Sequence, residues 1–129
     1  MGPAWQVFGY QTDSGVCEVK DFIESRKRED QQKLLAWLAL LEIEGPQLPR
    51  PYADLLRDGI HELRVKLSGN QIRILYFFFL RNKIMLTHTF SKTSAKVPDE
   101  EVRKAMKIRD IIIHRYKTGG ENLAFPRLP

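Results

Sequence analysis

The sequence predicts an α+β domain in the order β-α-α-β-β-β-α, with an antiparallel sheet and helices packed on one face. Three observations predict it. An apolar stripe of helical period fills residues 17–44, the period switches from 3.6 to 2 after Asp58-Gly59, and a helical stripe returns after Pro98. The 129 residues suit one domain spanning 1–129, with a core over about 5–117 and a loose tail over 118–129.

Trp5–Tyr10 alternates and is bounded by Asp13-Ser14-Gly15, which reads as a short strand and a turn. Cys17–Arg28 places Val19, Phe22, Ile23 and Arg26 at helical spacing. Glu29–Glu44 continues as helix, with Leu34, Leu35, Trp37, Leu38 and Leu41 making a broad apolar face and Trp37 expected in the core. Gly45-Pro46 stops it. Pro49 and Pro51 keep the connection extended, and Tyr52–Arg57 reads as one helical turn before Asp58-Gly59. Ile60–Leu67, Gln71–Leu80 and Lys83–Phe90 read as strands of a meander, turned at Gly69-Asn70 and Arg81-Asn82. The middle strand is apolar on both parities, as a strand covered on both faces must be. Pro98 opens the last helix, with Asp99, Glu100 and Glu101 opposing the positive end of its dipole. Thr118-Gly119-Gly120 ends it.

Composition narrows the function classes. The longest apolar run, Ile74–Leu80, falls far short of the ~18 residues that cross a bilayer, so no membrane partner is expected. Met1–Tyr10 has no basic or apolar leader pattern, and a single cysteine, Cys17, excludes an internal disulfide; both point to the cytoplasm. His61, His88 and His114 lie 27 and 26 residues apart, with no CxxC or HxxxH, so neither a metal nor another cofactor is expected. Charge is uneven. Residues 1–59 carry 7 Lys/Arg against 10 Asp/Glu, and residues 60–129 carry 14 against 6, which makes the second half +8. A basic half favours an anionic partner, above all nucleic acid.

Strand register gives that charge a location. With the two turns placed as above, Lys66 opposes Arg73, Arg64 opposes Leu75, Leu75 opposes His88, and Arg73 opposes Phe90. Directly opposed residues share a face. Arg64, Lys66, Arg73 and His88 therefore cluster at one end of one face, with Lys92 two residues past Phe90 and Glu62 as the one nearby acid. Phe77, Phe79, Ile84 and Leu86 occupy the other end of that face, where a helix covers them. Cations so placed repel one another unless an anion arrives.

These same segments carry a resemblance. Gly59-Ile60-His61-Glu62-Leu63-Arg64, Arg73-Ile74-Leu75-Tyr76-Phe77, His88-Thr89-Phe90-Ser91-Lys92-Thr93 and Pro98 opening a helix with Ala105 resemble, in this order, the phage-derived branch of the RelE/HigB toxin superfamily. The likeness runs from about Trp5 to Tyr116. It implies a small, metal-free endoribonuclease that cuts mRNA, with the ribosome as its platform, by attack of a 2′-hydroxyl on the adjacent phosphate. It also implies a cognate antitoxin, in this branch commonly a helix-turn-helix protein. On the pattern match Arg73 contacts the scissile phosphate, Arg64 and Lys92 support its charge, and Lys66 or His88 moves a proton. Ser91-Lys92-Thr93 keeps one lysine where many relatives have two, and Tyr116 reads as packing. Two other readings stand beside this one: a non-catalytic RNA- or protein-binding module of the same fold, and a structural interaction protein that docks an acidic partner on Arg103, Lys104 and Lys107.

Overall fold

The computed structural model describes residues 3–91, 96–120 and 123–129. Strand β1 (Gln6–Gly9) leads into helices α1 (Glu18–Ser25) and α2 (Arg28–Glu44) and a 3-10 turn, Gly45–Gln47. Strands β2 (Ala53–Arg57), β3 (Ile60–Leu67), β4 (Asn70–Phe79) and β5 (Lys83–Ser91) follow, then helix α3 (Asp99–Gly119). The sheet order is β1-β5-β4-β3-β2; β1 runs parallel to β5 and every other pair is antiparallel. The fold is α+β as expected, but the sheet is mixed and has one strand more.

That extra strand is β2, where a helical turn was expected. Asp58 and Gly59 both take positive φ, 53° and 77°, and Arg57 pairs with Ile60 across them. This is the backbone of a tight hairpin turn, so Asp58-Gly59 joins two strands rather than ending a helix. Pro49 and Pro51 disfavour helix just upstream.

Helices lie on both faces, not one. Leu34, Leu38 and Leu41 of α2 pack with Leu63, Val65, Ile72, Ile74 and Tyr76. Val102, Ala105, Ile108 and Ile112 of α3 pack with Ile60, Leu75, Phe77 and Met85 on the other side. The composition of β4 requires this: left uncovered, each large apolar side chain on its second face would forfeit about 1.5–3 kcal/mol. No helix among the described residues is long and apolar enough to cross a membrane.

Two register details differ from the sequence expectation. The β3–β4 turn is Ser68-Gly69, with Gly69 at φ 76° and Leu67 paired to Asn70. Arg64 therefore opposes Arg73, and Lys66 opposes Gln71. In β4–β5 the expected pairs Arg73↔Phe90 and Leu75↔His88 form, but a bulge follows, after which Tyr76 pairs with Leu86 and Phe77 with Met85. Thr87 is the extra residue, and its hydroxyl donates to the Leu75 carbonyl at 3.2 Å. The bulge transfers Ile84 and Leu86 to the α2 face.

The described part of the tail is not loose. Leu128 N–H donates to the Val7 carbonyl at 2.8 Å and Gly9 N–H to the Pro126 carbonyl at 3.0 Å. Leu128 is buried in the α2-side core. The tail thus covers the outer edge of β1, where unpaired backbone groups would otherwise face water.

Candidate nucleic-acid interface

Pairing across β3, β4 and β5 lays residues out in rows on the α3-side face. One row reads Arg64–Arg73–Phe90, and the next reads Glu62–Leu75–His88. Lys66 and Gln71 stand one row further out, beyond the reach of α3. Two guanidinium groups are therefore placed directly opposite each other, an arrangement that repels unless something lies between them.

Glu62 does. Its carboxylate is 1% exposed, and Oε1 accepts from Arg64 Nε at 2.9 Å, with Arg64 Nη2 at 2.8 Å. Its Oε2 lies 3.2 Å from Arg73 Nε. That contact has ion-pair distance, but the Nε–H is not aimed at the oxygen: neither atom has a hydrogen-bond partner. Arg64 also reaches Asp54 Oδ2 at 3.3 Å and the Pro51 carbonyl. Arg73 Nη2 donates to Gln71 Oε1 at 3.2 Å. Burial pulls the Arg73 guanidinium below its usual value; Glu62 opposes that effect and Arg64 adds to it. The cations are thus not left uncompensated: native acids hold both arginines in place.

Beside this row opens a cleft of about 400 Å³, bordered by Lys33 and Trp37 of α2, Tyr52 before β2, Arg64 and Lys66 of β3, and Arg73 of β4. It lies where β3 runs on past β2: β2 pairs only as far as Ala53↔Leu63, and the Arg64 N–H donates to the Tyr52 carbonyl at 2.8 Å. Lys33 Nζ donates to the Lys66 carbonyl on the edge left open. Four cations border the cleft against two carboxylates, Glu62 and Asp54, and Asp54 also takes Arg50 Nε at 2.9 Å. The arginine fork has five N–H donors. Among the described residues, Glu62 lies at ion-pair distance from the Nε edge of Arg73 and Gln71 takes one Nη2–H, so other donors of the fork remain for an anion.

The site residues expected from the sequence therefore divide. Arg64, Lys66 and Arg73 meet at the cleft, with Arg64 rather than Lys66 opposite Arg73. Lys92 lies outside the described residues. His88 does not border the cleft. It is buried beneath α3, with Nε2 3.0 Å from Glu101 Oε1 and Nδ1 3.0 Å from Thr87 Oγ1, and Leu75 separates it from Glu62 in its row. Burial lowers its pKa; the hydrogen bond to Glu101 opposes this and nearby Lys104 reinforces it.

Sequence reasoning missed Lys33, Trp37, Tyr52 and Asp54. The signal for the first two was their i, i+4 spacing, which puts them on one side of α2. Trp37, expected in the core, is half-buried, and its ring meets that of Tyr52 at 5.1 Å and 36°. Among the described residues, no group of three His, Cys, Asp or Glu side chains is arranged to hold a metal ion.

Comparison with known families matches residues 21–110 to the family described as Phage derived protein Gp49-like (DUF891). The matched segment runs from α1 to α3 and contains every residue that borders the cleft. No curated protein matches the chain.

Proposed function

The chain belongs to the phage-derived Gp49-like family, and from that premise we propose that it is the toxin of a toxin–antitoxin pair, an endoribonuclease that cuts mRNA in the cleft at Arg64 and Arg73. The observation that carries this reading is the convergence of Lys33, Arg64, Lys66 and Arg73 on one cleft in which acids are outnumbered. A phosphodiester entering it meets the free edge of the Arg73 fork, whose planar donors suit two phosphate oxygens.

The chemistry needs little more than charge and one proton path. The 2′-oxygen attacks phosphorus, the bond to the 5′-oxygen breaks, and the proton of the 2′-hydroxyl ends on that 5′-oxygen. The products are a 2′,3′-cyclic phosphate and a 5′-hydroxyl. Arg73 stabilises the charge gathering on the non-bridging oxygens, and Arg64, tied to it through Glu62, adds to the field. Lys66, solvent-exposed on the outer row, relays the proton. Lys92 is a further cation of this reading, placed by sequence just after β5. The ribosome presents the message, and a helix-turn-helix antitoxin encoded alongside neutralises the protein; co-purification with the product of the neighbouring gene tests that partner.

One observation favours a second reading. Glu62 pairs with both arginines, Asp54 pairs with Arg64 as well, and His88 is sealed beneath α3, which suits a module that binds RNA without cutting it. Incubating the purified protein with message in EDTA, with and without ribosomes, separates the two. Discrete cuts support the nuclease; retained but intact RNA supports the binding module.

A further inference from the structure

We propose that Trp37 and Tyr52 form a base-stacking subsite on the wall of the cationic cleft, so that the cleft takes single-stranded RNA by a phosphate and a neighbouring unpaired base. This rests on reading the cleft as an RNA site. Trp37 and Lys33 stand one helical turn apart on α2, so the aromatic and one of the cations come from the same helix face. Tyr52 comes from the other side, and its backbone is held at both polar groups: its N–H donates to the Pro49 carbonyl at 3.0 Å and its carbonyl accepts from the Arg64 N–H at 2.8 Å. The backbone that positions Tyr52 is thus tied directly to an arginine of the phosphate row.

The two rings touch, with centroids 5.1 Å apart, so a base does not fit between them. Trp37 instead supports one side of Tyr52, which remains 45% exposed. A ring that is both open to solvent and fixed in orientation loses little freedom when a base stacks on it. Aromatic side chains beside a positively charged groove are the combination that binds single strands, because every base offers a π-face while a duplex keeps its bases stacked inside. The subsite therefore selects for unpaired RNA rather than for one base.

The test compares two uncleavable probes at the same low salt: a 2′-O-methyl hexanucleotide and an abasic chain with the same number of phosphates. The expected result is that the base-bearing probe binds the intact protein about 5- to 150-fold more tightly, the worth of one stacked base. Tyr52→Ala abolishes that difference, whereas Tyr52→Phe retains it. In a Trp5→Phe background, which leaves Trp37 as the single tryptophan, only the base-bearing probe quenches the fluorescence. Equal affinities for the two probes, or an undiminished difference in Tyr52→Ala, overturns the subsite while leaving the phosphate site standing. Failure of both probes to bind overturns the RNA reading of the cleft and the subsite with it.

Discussion

Glu62 and Arg73 form an ion pair beneath the cleft, with the carboxylate Oε2 3.2 Å from the guanidinium Nε and both side chains almost wholly buried. The same carboxylate holds Arg64, so one buried negative charge keeps two opposed arginines side by side. Removing a single partner from such a group is costly because it leaves buried charge uncompensated. Glu62→Gln keeps the shape and removes the charge, and we expect it to lower unfolding stability by about 3–5 kcal/mol in urea titrations. A loss below about 1 kcal/mol would show that water already screens the arginines.

Arg73 is the residue whose loss should separate function from expression in the cell. If the chain is the proposed toxin, its expression arrests growth, and Arg73→Ala is expected to relieve that arrest while the variant still accumulates as folded protein by circular dichroism. Full growth arrest with Arg73→Ala would remove this residue from the mechanism.

Stability should fall on mild acidification. Burial depresses the pKa of both His88 and His61 in the folded chain, and for His61 the Asp54 charge only partly opposes this. Below their unfolded value of ~6.5 the unfolded chain binds protons that the folded chain resists, so this stability is fully present above ~6.5 and is lost as pH falls from there through the folded values. Denaturation midpoints measured between pH 8 and pH 5 are expected to decline, and replacing both histidines with glutamine should flatten that slope. A midpoint that rises on acidification contradicts the assignment.

The Asp58-Gly59 turn gives a test of the fold itself. Gly59 sits at φ 77°, and a Cβ there would meet Arg109 Nη1 at 3.2 Å, so Gly59→Ala is expected to cost about 1–2 kcal/mol. Gly119, within α3 and with nothing near the position of a Cβ, is the control: Gly119→Ala should be neutral or stabilising by up to ~1 kcal/mol. Equal effects at both positions would count against the β2–β3 hairpin.

The tail supplies a further comparison. Leu128→Ala is expected to destabilise by about 2–5 kcal/mol, as for a leucine buried in a core, since this side chain packs into the α2-side cluster. Arg127→Ala should cost less, because its partner Glu42 keeps a bond from the Val7 N–H at 2.8 Å. Thermal unfolding of the two variants decides the order.

Elements with a sustained period were legible in the sequence: the stripes of α1, α2 and α3 and the three long strands. What escaped was set by single residues or by distant pairing. In the sequence Asp58-Gly59 reads as a stop after a helical turn, because β2 is too short to show alternation, whereas in the fold the same dipeptide makes a hairpin. Turn residues in the sequence place the β3–β4 turn one residue later than it lies, which keeps every side chain on its face but sets Lys66 rather than Arg64 opposite Arg73. The bulge at Thr87 leaves no mark in hydrophobic pattern and moves Ile84 and Leu86 across the sheet. Docking of the tail depends on the edge of β1, more than a hundred residues away in sequence. In the site, the arginines could be found from strand parity, whereas the aromatic wall required knowing how α2 lies over the open end of β3.

The most direct measurement is the single-turnover cleavage rate of an unstructured message, with the ends of the products identified, for the unmodified chain and for Arg73→Ala. Fragments ending in a 2′,3′-cyclic phosphate and a 5′-hydroxyl, formed about 10²- to 10³-fold more slowly by the variant, are the predicted result. RNA left whole with and without ribosomes, or cut equally fast by both proteins, would contradict the assignment of the chemistry to this cleft.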